Sequence, residues 1–173
     1  MSHPFVLAMT GASGAVYATR LLEVLISTGY DVHLTISPAG KAVLKQELDI
    51  LVDLDNFFES SLMLDLVKSG SDSSLDLTRS LAGVDSDESA VLPMGTREPG
   101  RIQYHHFQDM MAPIASGSFL TGGMIICPCS GSTLSSVARG GGANLIHRAA
   151  DVHLKERLSL IHISEPTRRT PLS

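Results

Sequence analysis

Cysteine is nearly absent from this chain: two among 173 residues, Cys127 and Cys129, with one proline between them. Two cysteines so close cannot staple a fold, which excludes a disulfide framework. Basic residues are also scarce and scattered. Thirteen Lys and Arg against eighteen Asp and Glu leave a formal net charge of −5. That excludes the basic face needed to neutralise nucleic-acid phosphates, and it argues against a general membrane-surface role. No apolar run reaches the roughly 20 residues of a membrane-spanning helix. Met1-Ser2-His3-Pro4 shows no basic segment followed by an apolar stretch, so no signal peptide is expected. Together these absences predict a reducing, cytoplasmic setting.

What is present fits one compact domain. Hydrophobic residues make up 43% of the chain, too many for a disordered segment. A chain of this length buries roughly 70% of its unfolded surface on folding. Phe5-Val6-Leu7-Ala8-Met9 is a short continuous apolar run ending in Thr10-Gly11-Ala12-Ser13-Gly14, as a buried strand of a parallel sheet would. Tyr17, Leu21, Leu22, Leu25 and Ile26 then recur at helical spacing, and Gly29 follows as a stop. Val32, Leu34 and Ile36 alternate with Asp31, His33 and Thr35, as a second strand would. Strand, glycine-rich turn, helix and strand make a right-handed βαβ unit.

Ser37-Pro38 opens a second helix running to about Leu48, with Ser37 as cap and proline at the first helical position. Residues 52–100 read as an acidic insertion. Phe57 to Val67 could be helical within it, and a long surface excursion follows. Regular structure returns with the strand Met124-Ile125-Ile126-Cys127. A helix follows to about Ala138, Gly140-Gly141-Gly142 break it, and Asn144 caps another helix carrying Leu145, Ala149 and Val152. The expected fold class is α/β, a Rossmann-like three-layer sandwich with a mainly parallel sheet.

Three polar turns each follow a strand and precede a helix: Gly11-Ala12-Ser13-Gly14, Ser37-Pro38-Ala39-Gly40 and Ser130-Gly131-Ser132-Thr133. In an open parallel sheet all three would face one crevice at the carboxyl ends of the strands. Helix N-termini offer unpaired N–H groups and partial positive charge, which suits a phosphate. The first turn has neither the G-x-G-x-x-G spacing of a dinucleotide site nor the Gly-Lys-Ser/Thr of a P-loop. Cys127 and Cys129 could be half a metal site, but no second pair exists and the histidines are dispersed, so small residues at a strand end are expected and no metal. His105-His106 reads as a loop beside the pocket.

Five segments in order carry a resemblance: Met9-Thr10-Gly11-Ala12-Ser13-Gly14, Ser37-Pro38-Ala39, Ala112-Pro113-Ile114-Ala115-Ser116-Gly117-Ser118, Cys127-Pro128-Cys129-Ser130 with Thr133, and Arg148-Ala149-Ala150-Asp151-Val152 with Leu154-Lys155-Glu156-Arg157. They resemble UbiX-type flavin prenyltransferases over residues 4–50 and about 103–157. The resemblance implies FMN at the carboxyl edge of the sheet and a homo-oligomer, typically a dodecamer, with sites near subunit interfaces. It implies transfer of a dimethylallyl group from dimethylallyl phosphate to reduced FMN without a metal, the product serving UbiD-type decarboxylases. Carried over by position, Gly11, Ala12, Ser13, Ser37, Ser130, Gly131, Ser132 and Thr133 hold FMN. The catalytic roles fall to Ser13, Ser116, Arg148 and Lys155, with Arg148 and Lys155 on the substrate phosphate. Met110 and Met111 stand near the flavin or prenyl group, where other members carry aromatic residues.

The resemblance places a family domain at residues 1–157. Residues 158–173 read as a non-family tail that resembles a translated sequencing-adapter read-through, and a C-terminal strand is expected to be missing. Two alternatives stay open. One is an FMN-dependent cysteine decarboxylase of similar fold, disfavoured because no Asn stands in Pro128-Cys129-Ser130-Gly131-Ser132-Thr133. The other is a non-catalytic FMN-binding module.

Overall fold

The computed structural model describes residues 3–59, 61, 62 and 98–164. Most of the acidic insertion, including most of the expected helix from Phe57 to Val67, lies outside the described residues. β1 (Phe5–Met9), α1 (Ala15–Ser27), β2 (Val32–Ile36) and α2 (Pro38–Leu48) come first. β3 (Ile102–Tyr104), a short 3-10 turn (Pro113–Ala115) and β4 (Gly123–Ile126) follow. α3 (Gly131–Ala138), α4 (Leu145–Lys155) and β5 (Leu160–His162) complete the described elements. The five strands form one sheet, all parallel, in the order β3-β2-β1-β4-β5.

Parallel strands need crossovers, and the crossovers cover both faces of the sheet. Leu7, Met9, Leu34 and Ile36 pack with Ala18, Leu22 and Ile26 of α1 and with Leu44 and Leu48 of α2. Val6, Ala8, Met124 and Ile126 face the other way, onto Ala112 and Ile114, onto Val137 of α3, and onto Leu145, Ile146, Ala149 and Ala150 of α4. Each fully buried Leu or Ile contributes about 1.5–3 kcal/mol, so the two cores fix the helices on opposite faces.

Double coverage buries the polar residues of β2 as well. All five of its residues are buried, with His33 and Thr35 6% and 0% exposed. β2 lies between β1 and β3 with a helical layer on each side, so its second face meets protein rather than water. Tyr17 differs from the expected stripe. It falls on the helical stripe but points outward, while Ala15, Ala18 and Thr19 take the buried face of α1 beside Leu22 and Ile26.

β3 and β5 are three residues each, too short to show a period in sequence. Where a C-terminal strand was expected to be missing, β5 pairs with β4 from Leu160↔Met124 to His162↔Ile126. It is an edge strand, and Ile161 is 55% exposed. No described helix is long and apolar enough to cross a membrane.

Candidate active site at the switch point

The strand order reverses between β1 and β4. A crevice therefore opens at their carboxyl ends, with β2 as the next neighbour. The three turns singled out from sequence follow β1, β2 and β4, so the fold brings them to one edge.

Thr10 joins the first turn to the third. Its side chain is 2% exposed. Its hydroxyl donates to the Pro128 carbonyl at 2.7 Å and accepts from the Ser130 N–H at 2.8 Å. The Thr10 N–H also donates to the Pro128 carbonyl at 3.1 Å. The second turn is held to the first by the Ser37 N–H, which donates to the Met9 carbonyl at 3.0 Å. Close approach requires glycine here: a Cβ on Gly40 would lie 2.7 Å from the Met9 carbonyl oxygen, and one on Gly11 would lie 2.4 Å from the Ala39 Cβ.

The helix entries are built in two ways. Ser37 caps α2, its Oγ accepting from the Gly40 N–H at 3.0 Å. Ser130 caps α3, accepting from the Thr133 N–H at 3.3 Å; its hydroxyl also meets Ser132 Oγ at 3.1 Å and Thr133 Oγ1 at 3.0 Å. α1 has no side-chain cap of its own and is preceded by Gly14, with φ +109°. There the Glu47 carboxylate, from α2, accepts from the Gly14 N–H at 3.0 Å and the Ala15 N–H at 2.7 Å.

Sequence reasoning missed both Thr10 and Glu47. Thr10 had a legible signal, a polar residue inside an apolar strand end. Glu47 had none, because only the packing of α1 on α2 carries it across 32 residues.

Ser13, Gly11, Gly131 and Ser132 are exposed at this edge, Ala12, Ser37 and Ser130 partly so, and Thr133 is buried. A Cβ on Gly131 would meet no atom within 4 Å. An open groove of about 400 Å³, lined by Ser132, Ser135, Ser136, Arg139 and Gly141, runs along the outer side of α3 and meets the site only at Ser132. The first turns of α1, α2 and α3 carry no acidic residue. Apart from the Glu47 carboxylate, which accepts, the polar groups at this edge are hydroxyls and helix N-termini, a donor set suited to phosphate.

The remaining candidates lie on the α4 side. Arg148 donates from Nε to the Ala115 carbonyl at 3.1 Å and from Nη1 to Asp151 at 3.3 Å. This ties it to the loop that carries Ser116, whose hydroxyl meets that of Ser118 at 2.9 Å. Lys155 stands exposed in the last turn of α4, where a cation complements the helix dipole. Met110 and Met111 are 42% and 91% exposed.

Cys127 and Cys129 are free and buried, and burial pushes the Cys127 thiol up to about 11 and raises Cys129 as well. Neither is a thiolate nucleophile at neutral pH. Among the described residues no three His, Cys, Asp or Glu side chains gather as a metal site would require. His105 is a loop residue, as expected, but a buried one. It follows β3 directly and is buried against His33, with its N–H donating to the Leu34 carbonyl at 2.8 Å.

Comparison with known proteins agrees with this geometry. The profile of the flavoprotein family matches residues 1–170, continuing beyond Arg157, where the resemblance was expected to stop. The flavin prenyltransferase UbiX of Halalkalibacterium halodurans is 36% identical over 169 residues, 98% of this chain and 65% of that protein. That of Synechocystis is 32% identical over 173 residues, covering all of this chain and 69% of the relative. The chain thus spans about two thirds of the length of these relatives. Among solved structures, AnUbiX in complex with FMN and dimethylallyl pyrophosphate superposes with a TM-score of 0.66 at 30% identity, covering 100% of this chain and 68% of that one. A dodecameric FMN-dependent UbiX-like decarboxylase from Escherichia coli O157:H7 gives 0.64 at 26%, covering 98% and 68%. With three turns stapled at the switch point and relatives of this kind, the chain belongs to the flavoprotein family, in its UbiX flavin prenyltransferase branch.

Proposed function

We propose that this chain binds FMN at the β1–β4 switch point and acts as a flavin prenyltransferase, moving a dimethylallyl group from dimethylallyl phosphate to reduced FMN. The observation that carries the reading is the Thr10 staple, which locks two of three hydroxyl-bearing turns side by side at the carboxyl edge. Reduced FMN supplies the nucleophile.

The residues present suit the cofactor. Ser37 at α2 and Ser130, Gly131, Ser132 and Thr133 at α3 hold its phosphate, since the α1 N-terminus already faces the Glu47 carboxylate. Gly11, Ala12 and Ser13 lie along the flavin. Ser116 lines the prenyl side, and Met110 and Met111 form the pocket wall. Arg148 and Lys155 receive the leaving phosphate, where fixed cations stabilise the charge that develops as the allylic C–O bond breaks. Holding allyl group and flavin together turns an encounter into an intramolecular step.

Arg148 and Lys155 serve across a subunit boundary of a homo-oligomer in this reading, and the product goes to a UbiD-type decarboxylase, as in ubiquinone biosynthesis, in the cytoplasm. The division proposed is 1–157 as the flavoprotein domain and 158–173 as a tail of different origin, against a family profile that runs to residue 170; resequencing the codons for Leu158 to Ser173 decides between them. The cysteine-decarboxylase and non-catalytic readings are not favoured, because the Halalkalibacterium halodurans and Synechocystis relatives are flavin prenyltransferases.

Titrating the chain into FMN while following flavin fluorescence is the first test, with saturable quenching expected. Reduced FMN and dimethylallyl phosphate are then added and prenylated FMN is sought by mass. Binding without product removes the transferase reading and leaves a flavin-binding module; absence of quenching removes both.

A further inference from the structure

His33 and His105 form a buried pair that the proposed chemistry does not use. They are 6% and 7% exposed. Their rings stack at 5.1 Å between centroids with planes 8° apart, and His33 Nδ1 lies 2.8 Å from His105 Nε2. That distance requires one nitrogen to donate and the other to accept. His33 also meets Phe119 edge-on, at 4.8 Å and 67°. One side chain of β2 therefore touches both ends of the segment 105–119. Between those ends lie Met110, Met111, Ser116 and the Ala115 carbonyl that binds Arg148.

We propose that His33 and His105 are a proton-operated clasp, holding the neck of the 105–119 segment closed while both rings are neutral and releasing it in acid. One added proton places a cation against Phe119 and Val6, the in-register neighbour of His33 on β1. A second sets N–H against N–H across 2.8 Å. The open neck, with both rings in water, has neither cost.

The charged groups around the pair do not cancel this. Asp31, before β2, raises the proton affinity of His33 and Asp109 raises that of His105, but burial outweighs both. The Asp31 carboxylate also accepts from the Arg101 N–H at 2.8 Å. His106 faces Asp55 at 3.6 Å instead. On α4 the buried titratable groups are His147 and His153, the latter held by Thr121 and by the Ala149 carbonyl.

The sign follows by linkage. Burial lowers the His33 pKa from 6.5 to about 4. The closed state therefore binds fewer protons than the open one between those values, and acid favours opening. For His33 alone, opening becomes about 30-fold more favourable at pH 5 than at pH 7.5. The link to prenyl transfer rests on the reading above; the clasp does not.

Hydrogen exchange of the whole chain, corrected for the intrinsic pH dependence of amide exchange, tests it. Protection of the His105 amide and of residues 105–119 should fall about 30-fold from pH 7.5 to pH 5, while β1 and α1 amides stay protected. His33→Phe keeps a ring against His105 and Phe119 but removes the group that supplies the change of about 30-fold, so most of the pH dependence should be lost. Equal acid sensitivity in wild type and variant overturns the clasp. Should the variant fail to fold, wild type alone decides: loss of protection at 105–119 only together with β1 and α1 also overturns it. Flavin quenching at the two pH values separates the claims. Opening without loss of quenching leaves the clasp and removes its control of the site.

Discussion

The entries to α2 and α3 differ from the entry to α1, although all three follow a strand at the same sheet edge. α2 and α3 carry their own caps, Ser37 and Ser130, each binding an N–H three residues ahead. α1 borrows its acceptor from Glu47, 32 residues further along the chain. A self-capped entry has a neutral oxygen at its mouth. The borrowed cap puts a full negative charge where an anion would otherwise sit. Three turns that look alike in sequence therefore differ electrostatically, and two of them remain suited to a phosphate.

The largest way to break this comparison is Gly40→Ala. Its new Cβ would lie 2.7 Å from the Met9 carbonyl oxygen, which forces α2 away from β1. A loss of about 3 kcal/mol is expected, read as a shift in the urea midpoint, with weaker flavin quenching. Thr10→Val comes next. It leaves the half-buried Ser130 N–H without its acceptor and should cost about 2 kcal/mol; Thr10→Ser should restore most of it, whereas equal loss in both would mean that the methyl packing matters rather than the staple.

Glu47→Ala sharpens the contrast most directly. It uncaps two N–H groups that water can partly reach, at about 1.5 kcal/mol. Sulfate should then raise the Tm of the variant more than that of the wild type, because the α1 terminus becomes an anion site. Equal sulfate responses would remove the proposed difference between the entries. Smallest are Ser37→Ala and Ser130→Ala, each near 1 kcal/mol in thermal melts. Each should also weaken FMN binding beyond that stability loss, and an unchanged Kd in both would place the phosphate elsewhere.

Local chemistry explains what was legible. Ser37 before Pro38, Ser130 before α3 and Asn144 before α4 act within one turn, and each caps the helix where its sequence position suggests. β1 and β4 showed as apolar runs. β2 was legible as a strand, but the burial of His33 and Thr35 was not, since alternation cannot tell which strand will lie in the middle of a sheet. β3 and β5 are too short to show a period, and their pairing depends on β2 and β4 already being in place.

By itself the sequence determined the α/β class, the three hydroxyl-bearing turns and their order along the chain, because strand runs, caps and glycine turns are set by residues within a few positions of one another. Tertiary structure alone decided that Thr10 staples two turns, that Glu47 closes one helix entry, and that His33 meets His105 across 72 residues. Those contacts depend on which strands become neighbours and on how closely their backbones approach, and both follow from packing two helical layers against one sheet.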